Sequence, residues 1–148
     1  MNNKIIIVNG PNLNLLGERE QSQYGSTTFD ELKDKCLKKS KEIGINLEFV
    51  QSNIEGELVN LIQDSREKYD GMIINAAGFT HTSVAIRDAL DLFKKPIIEL
   101  HISNIHKREE FRHKSLISNV VTGGIFGLGV EGYILAIISI EKILKNEN

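Results

Sequence analysis

The sequence predicts an α/β domain with a flavodoxin-like three-layer sandwich, in which helices cover both faces of a five-stranded parallel sheet of order 2-1-3-4-5. Two observations predict this fold. Strand and helix patterns alternate five times along the chain, which is typical of parallel strands joined by right-handed helical crossovers. The length of 148 residues also suits one such domain with a buried core, so we expect a single domain over residues 1–148.

The first strand and the first helix have clear signals. Lys4–Val8 is a short, continuous apolar run, the pattern of a central strand that is covered on both faces. Thr28 and Glu31 form a T-x-x-E capping box, which predicts the start of a helix. This helix is expected to end near Ile43, because Gly44 supplies a stop signal.

The second and third strands are also predicted from local sequence patterns. Ile45–Gln51 alternates apolar and polar residues, as an edge strand does. Ser52 and Glu55 predict a second capping box in front of the next helix. Met72–Asn75 is another short apolar run and predicts a buried strand.

The second half of the chain predicts two more strands and three helices. The expected elements, in order, are a helix over Ser83–Phe93, a strand over Pro96–Leu100, a short helix over Ile105–Arg112, a strand over Asn119–Thr122, and a final helix that ends near Leu144.

Composition and charge exclude several classes of function. Hydrophobic residues make up 41% of the chain, charged residues 26%, and the net charge is −2, so no nucleic-acid partner is expected. The apolar run before Asn9 is too short for a signal-peptide core, and Tyr133–Ile140 is too short to span a membrane. Cys36 is the only cysteine and is expected in the core. A cytoplasmic protein with no membrane contact is therefore predicted.

Polar side chains follow three of the predicted strands. Asn9 ends the first strand, Asn75 ends the third, and Glu99 and His101 lie at the end of the fourth. Ligands bind parallel sheets of this kind outside the carboxyl ends of the strands. The sequence therefore predicts a pocket at this edge, with His81 on a neighbouring loop.

The loop Asn9–Gly25 is the longest predicted connection. Loops of this length inside compact domains are usually functional, and this one carries Asn12, Arg19 and Tyr24. We interpret it as a catalytic lid whose moving part spans about residues 18–25.

Three other kinds of site are disfavoured by spacing. The four histidines lack the close ligand spacing of a metal site, so no metal is expected. Gly127–Gly132 matches G-x-G-x-x-G, but no strand follows the final helix, so no nucleotide cofactor is expected. A flavin is not expected either, because the loop Gly10–Leu16 offers proline, amide and leucine side chains in place of the hydroxyls and glycines of a flavin phosphate loop. Ser83 or Ser103 with a histidine could act as a nucleophile, but no G-x-S-x-G elbow is present, and Ser83 is better interpreted as a helix N-cap.

Arg108 and Arg112 are four residues apart and would share one face of the predicted short helix. Either they pair with Glu109 or Glu110 at the surface, or they meet an anionic or polyhydroxy ligand. We favour the ligand for Arg112, and the sequence leaves Arg108 open.

Four blocks of polar and glycine residues carry a family resemblance. They are Asn9–Gly17 with Arg19 and Tyr24-Gly25; Gln51–Asn53 with Glu55-Gly56; Thr80–Ala85 with Arg87–Ala89; and Glu99–Asn104 with Arg108-Glu109 and Phe111-Arg112. Together they resemble type II 3-dehydroquinate dehydratases over essentially the whole chain. Many relatives carry proline at the position of Gln21, so the resemblance implies a slightly looser lid here.

The resemblance implies a cofactor-free lyase that converts 3-dehydroquinate to 3-dehydroshikimate and water through an enolate. Tyr24 would be the base, and since tyrosine ordinarily titrates near pH 10, Arg19 would favour its anion. Asn12 would order a water at the enolate oxygen. His101 would protonate the leaving hydroxyl, with its ring oriented by Glu99.

Substrate binding would fall to five further residues: Asn75, His81, Ile102, Ser103 and Arg112. The resemblance also implies a dodecamer built of trimers, in which Asp88 completes the site of an adjacent subunit. The expected pathway is shikimate and aromatic amino acid biosynthesis. Quinate breakdown by the same reaction and a non-catalytic flavodoxin-like binding module are the alternatives.

Overall fold

The computed structural model describes residues 2–147 and contains the predicted five-stranded parallel sheet of order β2-β1-β3-β4-β5. The edge position of β2 is confirmed. The strands are β1 (Lys4–Asn9), β2 (Asn46–Gln51), β3 (Gly71–Asn75), β4 (Ile97–His101) and β5 (Gly123–Phe126).

Helices cover both faces of the sheet, as predicted. Ile5 and Ile7 of β1 face a core that includes Cys36, whereas Ile6 and Val8 face the opposite core. This alternation explains why β1 reads as a continuous apolar run. The helices are α1 (Gln21–Tyr24), α2 (Phe29–Glu42), α3 (Glu55–Lys68), α4 (Val84–Asp91) and α5 (Glu131–Glu147); α2 and α5 pack on one face, and α3 and α4 on the other.

Two predicted helix caps are confirmed. The Thr28 hydroxyl accepts a hydrogen bond from the Glu31 backbone N–H at 3.2 Å and donates to the Glu31 carboxylate at 3.0 Å. The Ser83 hydroxyl accepts from the Ile86 N–H at 2.9 Å. Ser83 is therefore engaged as the N-cap of α4.

The second predicted capping box is wrong. Ile54 is the N-cap residue of α3 and makes no side-chain cap. The Ser52 hydroxyl instead accepts from the Ile54 N–H and donates to Glu57, two residues beyond the expected Glu55. The helix therefore begins two residues later than a box with Ser52 as its N-cap implies.

The prediction of the fifth strand over Asn119–Thr122 is also wrong, because the strand lies directly after it, at Gly123–Phe126. Val120 and Val121 have high strand propensity, but they pack against the core on the α3/α4 face instead. Gly124 lies against β4, where an added Cβ would be 3.4 Å from the carbonyl oxygen of Glu99. The ladder at this edge therefore runs through residues whose intrinsic strand preference is low.

The short helix predicted over Ile105–Arg112 is two separate 3₁₀ turns, Ile105–Lys107 and Glu110–Arg112. Arg108 lies between them in an extended conformation, with φ −103° and ψ −164°. Arg108 and Arg112 therefore do not share a helical face, and the extended backbone points the Arg108 side chain toward the long first loop.

Candidate active site

A small cavity of about 110 Å³ lies at the carboxyl ends of β1, β3 and β4, where the sequence predicts the site. Nine of its lining residues are predicted site residues, and two more are the neighbours of Asn12 in the first loop. The lining includes Pro11, Asn12, Leu13, Arg19, Tyr24, Asn75, Ala77, Gly78, His81, His101, Ile102, Ser103, Ile105, Arg108 and Arg112.

The start of the first loop is anchored to the end of β2. Asn12 has a left-handed backbone with φ +70°, and its N–H donates to the Asn53 side-chain oxygen at 2.8 Å. The Gln51 amide donates to the Gly10 carbonyl at 3.2 Å and to Asn53 at 3.1 Å. Sequence reasoning assigned no role to Gln51 and Asn53, and the structure shows that they fix the loop on which Asn12 lies.

Gly10 brings the first loop close to the end of β3. Its N–H donates to the Asn75 carbonyl at 2.8 Å. A Cβ at this position would lie 2.5 Å from the carbonyl oxygen of Ala76 and 2.7 Å from its carbonyl carbon. Only glycine permits this backbone approach, which sets the spacing between two walls of the cavity.

The end of the first loop places Tyr24 in the cavity. Tyr24 is the last residue of the one-turn helix α1 and is only 8% exposed. The Gln21 side chain ties this helix to the carbonyl of Gly17 at 3.2 Å. In this position Arg19 and Tyr24 of the segment 18–25 line the cavity.

Two guanidinium groups face the Tyr24 hydroxyl. Arg108 Nη1 lies 2.6 Å from Tyr24 Oη, and Arg19 Nη2 lies 3.4 Å from it. Both guanidinium carbons also approach the ring, at 4.2 Å from its centroid for Arg19 and 5.2 Å for Arg108. Two positive charges therefore lie beside this oxygen. The predicted partner Arg19 is present, but the shorter contact belongs to Arg108, which the sequence left open.

Arg108 also links the first loop to the segment that follows β4. Its Nη1 lies 3.3 Å from the Ser103 hydroxyl, its side chain is only 8% exposed, and its buried Nε has no hydrogen-bond partner among the described residues. The four-residue spacing of Arg108 and Arg112 predicts a shared helical face, but the structure has no helix across these residues. This spacing therefore gives no sign of the contact between Arg108 and Tyr24.

His101 and Glu99 form a buried pair at the end of β4. His101 Nε2 lies 2.6 Å from the Glu99 carboxylate, so this nitrogen carries a proton and Nδ1 is left for a reactant. Glu99 is not among the cavity-lining residues and lies behind His101. The predicted orienting contact is therefore present in the structure.

The Glu99 carboxylate accepts two further hydrogen bonds, from the hydroxyls of Ser115 at 2.8 Å and Ser118 at 2.5 Å. Burial raises the pKa of Glu99, but the bonds from His101, Ser118 and Ser115 outweigh it, so the pKa lies below its usual range. Glu99 thus remains an anion. Sequence reasoning missed both serines, because they lie 16 and 19 residues away from Glu99 in the chain.

His81 stands beside His101, with ring centroids 6.4 Å apart and an interplanar angle of 21°. Its Nδ1 is 2.8 Å from the Lys114 carbonyl, so Nδ1 carries the proton and Nε2 is an acceptor. Burial lowers the pKa of His81, the bond to Lys114 opposes this, and Arg112 contributes to the lowering. His81 is therefore neutral near pH 7.

The remaining predicted residues divide between the cavity and the surface. Arg112 lines the cavity and also pairs with Glu109 at 3.1 Å, so the surface pair is present and the contact with a ligand stays a prediction. Asp88 is not among the lining residues. It lies on α4, its side chain is 65% exposed, and it pairs with Arg87 at 3.0 Å.

The cavity is suited to an anionic ligand and to proton transfer. Arg19, Arg108 and Arg112 supply three guanidinium groups, and the lining residues include no aspartate or glutamate. Tyr24 and His101 line the same cavity from opposite elements, a loop and a strand end. Such a pair can remove a proton at one point of a bound molecule and deliver one at another.

No metal or membrane feature accompanies this site in the part of the chain that the structure describes. Residues 2–147 contain no group of three or more His, Cys, Asp or Glu side chains that could hold a metal ion. Among the described helices, none combines the length and the apolar character needed to cross a membrane.

Comparison with known proteins gives a consistent set of matches. A family model described as "Dehydroquinase class II" matches residues 3–141. The 3-dehydroquinate dehydratase of Clostridium perfringens strain SM101 is 48% identical over 97% of this chain and 99% of its own. That of Endomicrobium trichonymphae is 52% identical over 90% of this chain and 94% of its own. The crystal structure of a type II dehydroquinase from Propionibacterium acnes superposes with a TM-score of 0.93, at 42% identity over 96% of this chain and 98% of that one.

Proposed function

The chain belongs to the class II dehydroquinase family, and from this we propose that it is a lyase (EC 4.2.1.10) that dehydrates 3-dehydroquinate to 3-dehydroshikimate in aromatic amino acid biosynthesis. The observation that carries the proposal is the placement of Tyr24 and His101 in one cavity with three guanidinium groups. A carboxylate substrate matches this charge.

Tyr24 acts as the base. As the tyrosinate, it removes a proton from the carbon between the ketone and the carbon that bears the leaving hydroxyl. The electrons of the broken C–H bond move onto the ketone oxygen and form an enolate. Arg108 at 2.6 Å and Arg19 at 3.4 Å from the phenol oxygen place two positive charges beside it.

Asn12 and the cavity wall stabilise the enolate. Asn12 lies in the anchored start of the loop, and its backbone is held by Asn53. Its side chain orders a water at the enolate oxygen, which places a donor where negative charge develops. Fixed donors of this kind act without rearrangement during the reaction.

His101 acts as the general acid. The enolate returns its electrons to form the carbon–carbon double bond, the C–O bond breaks, and a proton on His101 Nδ1 passes to the departing hydroxyl to give water. Glu99 accepts from Nε2 and so directs Nδ1 toward the leaving group. Each such proton transfer contributes typically about 10²- to 10⁴-fold to the rate.

Five residues bind the substrate in this proposal. The substrate carboxylate meets the backbone amides of Ile102 and Ser103, and the side chains of Asn75, His81 and Arg112 also contact the substrate. All five line the cavity. Neither a cofactor nor a metal enters any step.

The protein assembles as a dodecamer built of trimers, in which Asp88 completes the site of an adjacent subunit. The surface of α4 supports this, because Val84 and Leu92 are 58% and 52% exposed next to Asp88. Light scattering on the purified protein tests the mass, and a monomer that is fully active would contradict the assembly. We also place the protein in the cytoplasm, a reducing compartment that suits the single buried thiol of Cys36.

The direct test is absorbance at the enone band of dehydroshikimate after purified protein is mixed with 3-dehydroquinate. A rise is expected with the wild-type protein. Tyr24→Phe is expected to bind substrate but not to turn it over. A folded wild-type protein without any rise would overturn the activity, and near-normal turnover by Tyr24→Phe would overturn the assignment of the base.

A further inference from the structure

Three buried polar side chains form a hydrogen-bonded chain directly beneath the cavity. Asn9 and Asn75 are paired at the last position of β1 and β3, and they are 1% and 3% exposed. The hydroxyl of Tyr133, from the final helix α5, lies between their side chains. It is 2.7 Å from Asn9 Oδ1 and 3.0 Å from Asn75 Nδ2, and Tyr133 is fully buried.

The donor and the acceptor of each hydrogen bond between Asn9, Tyr133 and Asn75 are fixed. Asn9 Nδ2 donates to the Val50 carbonyl at 2.9 Å, which turns Asn9 Oδ1 toward Tyr133. The single hydroxyl proton of Tyr133 is therefore donated to Asn9, and its oxygen must accept from Asn75. Burial raises the pKa of Tyr133 above its usual range, so the hydroxyl keeps its proton.

These hydrogen bonds orient the side-chain amide of Asn75. Its Nδ2 is held by Tyr133, and its Oδ1 accepts from the Ala77 N–H at 3.1 Å. Asn75 lines the cavity. With one N–H used and the oxygen turned toward the backbone, the second N–H is the group that Asn75 can offer to a ligand.

We propose that Tyr133 is a positioning residue, which acts through Asn75 and makes this asparagine a hydrogen-bond donor to an oxygen of the anionic substrate. The inference rests on the proposed function for the identity of that substrate. Without the Tyr133 hydroxyl, Asn75 Nδ2 loses its buried partner, and the amide can rotate to turn its oxygen toward the cavity. An amide oxygen facing a carboxylate is repulsive, so the expected defect is in substrate binding.

The test is steady-state kinetics on Tyr133→Phe, with Tyr69→Phe as the matched control. Tyr69 donates its hydroxyl to Glu48 and does not line the cavity. Loss of one hydrogen bond to a charged group predicts a KM about tenfold higher for Tyr133→Phe, with kcat changed much less. Tyr69→Phe should keep the wild-type KM. An unchanged KM in Tyr133→Phe would overturn the proposal.

A double-mutant cycle with Asn75→Ala separates positioning from general loosening of the core. If Tyr133 acts through Asn75, Tyr133→Phe should raise KM no further in the Asn75→Ala background. An equal increase in both backgrounds would show that the hydroxyl acts by another route and would refute the inference.

A second variant covers the case in which Tyr133→Phe fails to fold. Asn9→Ala keeps the tyrosine ring in its packing but removes the acceptor of its proton. The hydroxyl can then donate to Asn75 Oδ1, and the amide is free to reverse. A raised KM is expected, and a wild-type KM in folded Asn9→Ala contradicts the proposal. Wild-type protein without turnover would instead contradict the proposed function.

Discussion

Replacing Arg108 by methionine tests the contact that sequence reasoning left open. Arg108 Nη1 is 2.6 Å from Tyr24 Oη, whereas Arg19 is 3.4 Å away. Two opposite unit charges at the shorter distance attract by about 6 kcal/mol at an effective dielectric constant of 20. The guanidinium charge is delocalised and Arg19 remains, so the value of one charge-assisted hydrogen bond, about 1.5–3 kcal/mol, is the better estimate.

This free energy corresponds to a fall in kcat of about 10- to 150-fold for Arg108→Met, at 1.36 kcal/mol per factor of ten. The matched control is Lys107→Met, which removes a neighbouring charge from an exposed side chain outside the cavity. The assay is the rate of enone formation at saturating substrate. If Arg108→Met and Lys107→Met both keep the wild-type kcat, the contact with Tyr24 has no part in the chemistry.

Three further outcomes follow from the structure. Gly10→Ala should lower the melting temperature and the activity, because its Cβ would overlap the Ala76 backbone, whereas Gly56→Ala, with open space around the Cβ in α3, should be neutral or stabilising; equal melting temperatures would contradict this. The lowered pKa of Glu99 means that its stabilising contribution is present above about pH 4.3, the usual glutamate value, and is lost as the pH falls through the lowered pKa. Urea unfolding between pH 6 and pH 3 should therefore show a weaker pH dependence in Glu99→Gln, and an identical dependence would refute the assignment. Dialysis against EDTA should leave turnover unchanged, and a loss that zinc or magnesium restores would reopen the possibility of a metal site.

The regular part of the fold could be predicted from sequence because its signals are local. The four strands β1 to β4 are apolar or alternating runs, and the caps at Thr28 and Ser83 are formed by residues three positions apart. The fifth strand could not be predicted from such signals, because Gly123 and Gly124 pair with β4 through their backbone alone. Their position in the sheet depends on contact with Glu99 and its neighbours.

The candidate site also contains some residues that could be identified from the sequence and some contacts that could not. Tyr24, His101 and Arg19 could be identified from their positions and from the family resemblance, and the structure brings them into one cavity. The contact of Arg108 with Tyr24 spans 84 residues and that of Tyr133 with Asn9 spans 124. Contacts of this kind depend on how loops and helices meet in space, and no spacing rule for one helix or one strand describes them.

The measurement that tests the account most directly is hydrogen exchange into 3-dehydroquinate in heavy water, followed by NMR. In the proposed mechanism Tyr24, on the first loop, removes the proton, and His101, at the end of β4, protonates the leaving group. His101→Ala should therefore still exchange the proton next to the ketone while it forms little dehydroshikimate, and Tyr24→Phe should do neither. Exchange that persists in Tyr24→Phe and disappears in His101→Ala would contradict the assignment of base and acid.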